Sequence, residues 1–496
     1  MSYITAAPEM LAAAAADVER IGTAISQAGS AAAGPTSGLL APAADEVSAA
    51  VTTLFGGYSQ EYQAAFRQAM TFHGELTQAL AAAGGAYAQA EAGNAALMSG
   101  ASNALNASVQ TLLGQMPMGS GASPAATTIA LIMGGTGNPL PDLDYVLSVN
   151  TSYIQALFPG AIPMGLFTPE MFWPVTPQLG APFSTFGQSV TQGVGLLNAA
   201  INAANISMAN PVVIFGYSQS ATIATNEINA LMAMGSPFAP NLHFVLIGDP
   251  NNPNGGLLER FTGFYIPALD VAFNGATAPN SPYPTTIYTA QYDGIADVPQ
   301  YPLHILSDVN ALMGYFFVHG TYPMLTPDQV ANAVALPTSP GYTGSTQYFM
   351  LMTQDLPLLD PIRDIPYAGP PIADIFQPDL RVLVDLGYSD YGPGQSYANI
   401  PTPAGLFSLA NPFVVVPDLL RGAVQGPYGA AVEIGVESGL LSPSYFPNTY
   451  PWVPSIDPGL NIFLGQPSTT GLSTLTGALG GPLSLIPPVF NLNITT

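Results

Sequence analysis

A serine stands at the point where a strand pattern changes to a helix pattern. The apolar, β-branched run 212–215 leads into Gly216-Tyr-Ser-Gln-Ser220, and residues 221–228 have helical composition. A sharp turn between a strand and a helix is the layout of a nucleophile elbow, which holds the serine Oγ clear of the strand's carboxyl end. Ser220 replaces the second glycine of the usual pattern and is small enough for close strand–helix contact. The pattern predicts Ser218 as a nucleophile; the alternative is a turn serine that caps the following helix.

A serine hydroxyl becomes a strong nucleophile only when a base accepts its proton, and the usual base is an imidazole oriented by a carboxylate. The chain has four histidines. His73 belongs to a helical pattern and His243 to a strand pattern, whereas His304 and His319 both follow the last strand considered. That chain order of serine, acid and histidine is the one found in α/β-hydrolases. We expect His319 to be the base because it stands in a loop before a glycine; His304, at the start of an apolar periodic run, is the alternative.

The acid that orients the imidazole is expected just beyond a late strand of the sheet. Asp293 directly follows the strand pattern at 284–292, so it is the first choice. Asp297 lies one turn later, and it is equally compatible with a loop or a helix cap. Asp249 ends the preceding strand pattern and is the third candidate.

Two backbone N–H groups are needed to stabilise the negative oxygen of a tetrahedral intermediate. One is expected from Gln219, which directly follows the serine. The other is expected from Gly135 or Thr136, which follow the apolar strand pattern at 128–133. The simpler interpretation of this glycine-rich stretch is a plain turn.

The elements that must position these residues alternate along the chain. Apolar strand patterns are separated by helical patterns, such as those at 145–158 and 183–204, which predicts a mainly parallel sheet in an α/β fold. Ligands of such sheets bind beyond the carboxyl ends of the strands. The candidate residues follow four of these strand ends: Gly135, Ser218, Asp249 and Asp293.

The N-terminal region has a different pattern. Residues 1–92 carry apolar residues at three- and four-residue spacing, interrupted by a turn sequence at 34–38, which predicts an all-α helical hairpin. Its apolar seam needs a further surface, so we expect a partner chain that completes a four-helix arrangement; the alternative is docking on the downstream domain. Residues 93–124 predict a flexible linker. The α/β domain then spans 125–440, and the Pro/Gly-rich stretch 441–496 predicts an irregular extension.

Composition excludes several classes of function. The 496 residues carry a formal net charge of −24, with six arginines and no lysine or cysteine. Binding to nucleic acid or to an anionic membrane is therefore disfavoured. No metal-ligand spacing and no phosphate-binding lysine motif is present, so the sequence predicts no metal site and no cofactor. No run of about 18 apolar residues predicts a membrane span. No signal peptide is recognised, so export is expected to use a different signal.

The first 95 residues resemble the mycobacterial PE family. The resemblance rests on the N-terminal Met1-Ser-Tyr-Ile-Thr-Ala-Ala-Pro-Glu-Met-Leu11 and on Tyr87-Ala-Gln-Ala-Glu91, which matches the family's export signal. It implies a PPE-family helical partner, export through a type VII secretion system, and a secreted, cell-wall or cell-surface location. The alternative for Tyr87 and Glu91 is an i,i+4 pair at a fraying helix end.

Residues of about 125–360 resemble the PE-PPE domain. The matching motifs are Gly134-Gly-Thr-Gly-Asn-Pro139, the elbow at Gly216–Ser220, Tyr292-Asp-Gly-Ile-Ala-Asp-Val-Pro299 and Val318-His-Gly-Thr-Tyr322. The resemblance implies a serine α/β-hydrolase akin to cutinases and lipases, which cleaves acyl esters or lipids through an acyl-enzyme. It also implies Ser218 as nucleophile, Asp293 as acid and His319 as base. The alternative is a catalytically silent hydrolase fold that acts as a cell-surface interaction protein or antigen.

Overall fold

The computed structural model describes residues 8–38, isolated positions between 43 and 74, and 128–488 apart from 181–182, 205, 447–455 and 466. The chain divides into two units, Met1–Ala122 with Gln178–Ala181, and Ser123–Pro177 with Pro182–Thr496. In the first unit, helix α1 spans Pro8–Ser37 and begins at the predicted proline. It continues through Gly34 and Pro35, so the predicted break falls at its last turn. The second helix of the hairpin is described only at isolated positions between 52 and 74, which are helical. The linker at 93–124, Tyr87 and Glu91 lie outside the described residues.

The second unit is built on a seven-stranded sheet. Its strands are β1 (Ile129–Ile132), β2 (Ile162–Gly165), β3 (Val212–Tyr217), β4 (Leu242–Ile247), β7 (Thr285–Ala290), β8 (Val334–Ala335) and β9 (Thr346–Leu351), while β5 (Tyr265–Ile266) and β6 (Val271–Ala272) form a separate antiparallel pair. They lie in the order β2–β1–β3–β4–β7–β9–β8. Every neighbouring pair is parallel except β8–β9. The predicted mainly parallel α/β sheet is confirmed, and four of the strands were predicted, namely β1, β3, β4 and β7.

Helices follow the strands and flank the sheet. They are α2 (Leu143–Val149, continued by a π-helix at Asn150–Ile154), α3 (Phe186–Ala203), α4 (Gln219–Ala233), α5 (Leu257–Arg260), α6 (Ile305–Phe317), α7 (Pro327–Ala331), α8 (Asp360–Arg363), α9 (Gly369–Asp385), α10 (Pro412–Glu437) and α11 (Gly471–Leu483). Short 3₁₀ helices lie at Pro177–Leu179, His319–Met324, Pro357–Leu359 and Pro443–Tyr445.

The sheet is buried on both faces. Along β3, Val212 and Ile214 pack into the apolar cluster on one face, and Val213 and Phe215 pack into the cluster on the other. A central strand covered on both sides has no solvated face, so it contains an unbroken apolar run instead of an alternating pattern. This core fixes the position at which β3 ends and the serine turn begins.

The C-terminal part differs from the prediction of an irregular extension. Helix α11 spans Gly471–Leu483 and begins with a capping box, in which Thr470 and Ser473 each accept a hydrogen bond from the other's backbone N–H. Capping of this kind satisfies N–H groups that the first helical turn leaves without partners. The prediction is wrong for this stretch because the composition of a segment does not reveal such a local cap.

Candidate active site

The turn after β3 has elbow geometry. Ser218 has φ 56 and ψ −117, a left-handed backbone conformation that costs energy for any residue with a Cβ. A Cβ at Gly216 would lie 2.8 Å from the carbonyl oxygen of Ser220, so only glycine fits before the serine. Ser220 Oγ accepts from the Tyr217 N–H at 2.8 Å and donates to the Tyr217 carbonyl at 3.1 Å. Ser220 stands where the usual pattern has glycine, and its hydroxyl therefore closes the turn.

The structure brings the first-choice serine, histidine and aspartate together. Ser218 Oγ lies 2.8 Å from His319 Nε2, and His319 Nδ1 lies 2.8 Å and 2.9 Å from the two carboxylate oxygens of Asp293. All three residues are buried, and Ser218 is 9% exposed. The Ser218 side chain makes no capping bond to α4. Its hydroxyl is thus oriented towards the imidazole instead of the helix, as general-base activation requires.

Asp293 has two further hydrogen-bond donors. Tyr322 Oη donates to Oδ2 at 2.7 Å, and the backbone N–H of Ile295 donates to Oδ1 at 2.8 Å. The Tyr322 hydroxyl is held in turn by the N–H of Ala290 at 2.7 Å. These donors fix the plane of the carboxylate that faces the imidazole. Sequence reasoning did not identify Tyr322, although it stands three residues after His319 on the same 3₁₀ helix.

The imidazole of His319 is enclosed by aromatic rings and by one glycine. Tyr315 stacks on it, with the ring planes 19° apart and the centroids 6.0 Å apart. Tyr217 Oη donates to the His319 carbonyl oxygen at 2.5 Å, which ties the histidine loop to the elbow. Gly248 has φ 53, and a Cβ there would approach His319 Cε1 to 3.2 Å. The ring therefore has little freedom to turn away from Ser218.

The candidate oxyanion turn lies beside the elbow. A Cβ at Gly135 would lie 2.7 Å from the ring of Tyr217, so the turn can approach the elbow only with glycine there. Thr136 Oγ1 donates to Gln219 Oε1 at 3.0 Å, which joins the turn to the residue after the serine. Gln219 is the first residue of α4, and N–H groups of a first helical turn have no partner within the helix. The three predicted oxyanion residues are therefore neighbours in the structure.

The alternative site residues have other partners. His304 occupies the N-cap position of α6 without a side-chain capping bond, and its Nδ1 lies 2.8 Å from Ser307 Oγ. Asp297 Oδ2 accepts from the Tyr292 N–H at 2.8 Å, and burial raises the pKa of this carboxyl to about 7. The structure places neither of them in the hydrogen-bonded chain of Ser218.

Asp249, the third acid candidate, also lies outside that chain. It accepts from the Asn251 N–H at 2.9 Å and from Thr277 Oγ1 at 2.7 Å. Burial raises the pKa of its carboxyl to about 6, and these two hydrogen bonds act in the opposite direction. Its contacts hold the loop after β4 together, so the geometry gives it a structural role.

The described part of the chain offers neither a metal centre nor a membrane-spanning helix. No group of three or more His, Asp or Glu side chains within it is arranged to hold a metal ion. Within the same residues, no helix combines the length and the hydropathy needed to cross a membrane.

Comparisons with known proteins identify two matching families and several relatives. The PE family model matches residues 4–94, and the PE-PPE domain model matches residues 159–389. A PE family protein of Mycobacterium tuberculosis, PE3, is 55% identical over 99% of this chain and 100% of its own length. A protein of the same organism named Esterase PE16 is 46% identical over 87% of this chain and 77% of its own length.

One solved structure is also similar. A cutinase-like protein from Cryptococcus sp. is 19% identical and aligns with a TM-score of 0.24, covering 36% of this chain and 82% of its own. A similarity at this level carries no conclusion about activity. The assignment of the fold therefore rests on the sheet topology and on the domain match.

Proposed function

Because this chain belongs to the PE family and carries a PE-PPE domain, we propose that it is an exported serine ester hydrolase acting on acyl esters. Membership confirms the resemblances recognised in the N-terminal and elbow motifs. One observation carries the proposal: Ser218, His319 and Asp293 form a single hydrogen-bonded chain at the carboxyl edge of a parallel sheet. A relative at 46% identity bears the name esterase, and the same class of reaction is proposed here.

In the first half-reaction, Ser218 Oγ attacks the ester carbonyl carbon while His319 Nε2, 2.8 Å away, accepts the hydroxyl proton. Asp293 accepts a hydrogen bond from the Nδ1–H group and stabilises the imidazolium, and the proton stays on the ring. The negative oxygen of the intermediate accepts from the backbone N–H of Gln219 and from that of Gly135 or Thr136. The carbon–oxygen bond to the alcohol then breaks, the alcohol leaves with the proton from His319, and the acyl group remains on Ser218.

The second half-reaction repeats these steps with water. His319 Nε2 accepts a proton from the water molecule as its oxygen attacks the acyl carbon. The intermediate collapses, the bond to Ser218 Oγ breaks, and His319 returns the proton to the serine. A carboxylic acid is released and the enzyme regains its starting state.

The surroundings of His319 favour an apolar acyl substrate. Helix α6 ends two residues before His319, and its exposed side chains include Ile305, Leu312 and Phe316, which is 63% exposed. Asp308 is the one charged residue of this helix, and the pKa of its carboxyl is raised to about 6 by burial. An apolar chain leaving the ester carbonyl would therefore meet apolar side chains beside the site, and an anionic chain would find no cationic partner on this helix.

Covalent labelling tests the proposal directly. A fluorophosphonate should react at Ser218 Oγ, where a phosphorus–oxygen bond forms, fluoride leaves and His319 accepts the serine proton. Mass spectrometry of the intact protein and of its peptides should give one adduct per chain, on the peptide containing Ser218. The Ser218→Ala variant should stay unlabelled under the same conditions. A folded protein that acquires no adduct at Ser218 would instead support the catalytically silent interaction protein.

We also propose that the N-terminal module pairs with a PPE-family helical protein and directs export through a type VII system to the cell wall or surface. Ile21 and Ile25 of the predicted apolar seam are exposed on α1, which supports a partner that covers them. Tyr87 and Glu91 are the proposed export signal. In a mycobacterial host, Tyr87→Ala should keep the protein inside the cells, whereas the unchanged chain should reach the cell-wall and culture-filtrate fractions. Equal export of both would exclude Tyr87 from the signal.

A further inference from the structure

Glu170 is a buried acid that the proposed mechanism does not use. It follows β2 on the edge of the sheet, it is 0% exposed, and its backbone has φ 47. Left-handed backbone at a residue other than glycine is strained, so it persists only where the surroundings impose it. The burial of this acid and its strained backbone therefore both need a structural or functional explanation.

The segment around Glu170 is bonded to both parts of the candidate oxyanion site. The Glu170 carbonyl accepts from the Gly137 N–H at 2.8 Å, and the Thr168 N–H donates to the Pro139 carbonyl at 3.1 Å. The next residue, Met171, accepts at its carbonyl from Gln219 Nε2 at 3.1 Å. We name residues 168–171 the strap, because they connect the turn at 134–139 to the first residue of α4.

The carboxyl group of Glu170 forms a hydrogen bond within the strap. Thr168 Oγ1 donates to Glu170 Oε1 at 2.6 Å, while Oε2 is buried with no hydrogen-bond partner among the described residues. The turn at 134–139, helix α3 and the first two turns of α4 contain no ionisable residue. Helix α2 presents Tyr145, which is itself buried, with the pKa of its phenol raised well above the usual value by burial.

A charge on Glu170 would therefore be unpaired inside the protein. Burial raises the pKa of this carboxyl to about 8, against the smaller opposing effect of the Thr168 hydrogen bond. The folded protein thus holds Glu170 protonated at neutral pH. Above the raised pKa, a negative charge appears next to the turn that is proposed to bind an oxyanion, and no arginine among the described residues pairs with it.

We propose that Glu170 is a positioning residue of the acyl-transfer site: the strap that sets the oxyanion turn against Gln219 is built around its neutral carboxyl, and loss of the proton places an unpaired charge inside the strap and loosens that turn. This inference rests on the proposed function. It predicts that kcat/KM falls at alkaline pH because Glu170 loses its proton, and not because of Ser218, His319 or Asp293.

The pH dependence of activity tests the inference. For a soluble short-chain ester, kcat/KM of the unchanged enzyme should fall about tenfold per pH unit above the pKa of Glu170. Glu170→Gln keeps a neutral group of the same shape, so it should match the unchanged enzyme at pH 7 and lose this alkaline fall. A matched control is Glu227→Gln, which neutralises another fully buried acid, held by Asn198 on α3 away from the turn. Its pH profile should equal that of the unchanged enzyme.

A second variant covers the case in which Glu170→Gln does not fold. Thr168→Val removes the hydrogen-bond donor that favours the charged form of the Glu170 carboxyl. In this variant the alkaline fall of kcat/KM should therefore begin at a higher pH. The inference would be overturned if kcat/KM falls at the same alkaline pH in the unchanged enzyme and in whichever variant folds.

A readout without turnover separates this inference from the proposed function. Between pH 6 and 9 the thermal unfolding midpoint of the unchanged protein should fall relative to that of Glu170→Gln. A group with a raised folded-state pKa loses its contribution to stability as the pH rises from the unfolded towards the folded value. Parallel midpoints would sink the inference even in an active enzyme. If labelling at Ser218 fails while the midpoints still diverge, the proposed function is wrong, and only the burial of a neutral Glu170 in the strap is supported.

Discussion

Replacing Ser218 with alanine is expected to lower kcat for a soluble p-nitrophenyl ester by about 10⁵- to 10⁶-fold, while the protein stays folded. The acyl-enzyme cannot form without the hydroxyl, and the residual rate comes only from substrate binding and oxyanion stabilisation. The fold should tolerate the change because the Ser218 side chain does not cap α4, and alanine keeps the same Cβ in the same backbone conformation. Steady-state kinetics with a circular dichroism spectrum of each variant measures both parts of the prediction.

Two histidine variants provide the matched controls. His319→Ala should lose nearly as much activity as Ser218→Ala, because His319 Nε2 is the acceptor of the serine proton at 2.8 Å. His304→Ala should retain most of it, since that ring is bonded to Ser307 at the start of α6. Loss of activity in His304→Ala alone would move the base to His304. Turnover in Ser218→Ala equal to that of the unchanged protein would favour the silent interaction protein.

The central strands and the elbow could be predicted from the sequence because both depend on local patterns. Strands β1, β3, β4 and β7 are covered on both faces, so each is recognisable as an apolar run. Strand β2 could not be recognised, since its residues Ile162–Gly165 include a proline and a glycine and are largely exposed. Its place beside β1 is set by pairing with that strand and not by its own composition.

The helices after residue 360 illustrate a different limit. Prolines 378, 417 and 427 lie inside α9 and α10, and local rules place such residues in loops or at breaks. The two helices pack against each other along their length, and this tertiary contact offsets the backbone hydrogen bonds that the prolines remove. Local sequence patterns therefore do not reveal the helical pair that the structure has here.

The candidate site shows the same division. Ser218, Asp293 and Gly135 each follow a strand end, and parallel strands bring such positions to one edge. The residues that hold them are different: Tyr322 reaches Asp293, and Glu170 reaches the oxyanion turn, through contacts between segments distant in sequence. A single tyrosine or glutamate in a loop carries no local signal of that kind, so these roles emerge only from the structure.

Replacing Asp293 with asparagine is expected to lower kcat by about 10⁴-fold with little change in KM. The N–H of Ile295 faces Oδ1 and cannot accept a hydrogen bond, so the amide oxygen of the variant must take that position. The amide nitrogen then takes the position of Oδ2, beside Tyr322 Oη and His319 Nδ1. Each hydrogen bond that it donates to Nδ1 holds the imidazole proton on Nε2, whereas the carboxylate accepts from Nδ1–H at both of its oxygens. An imidazole in that tautomer cannot accept the proton of Ser218.

Asp297→Asn is the control for this change of tautomer. Asp297 Oδ2 accepts from the Tyr292 N–H at 2.8 Å, and an amide oxygen can replace it there, so kcat should fall by no more than a few-fold. Both variants replace a buried carboxyl group of the same loop with an amide, and they differ in whether the lost carboxyl faces His319. Equal losses in the two would attribute the effect to the charge of the loop. A larger loss in Asp297→Asn would make Asp297 the acid that orients the imidazole.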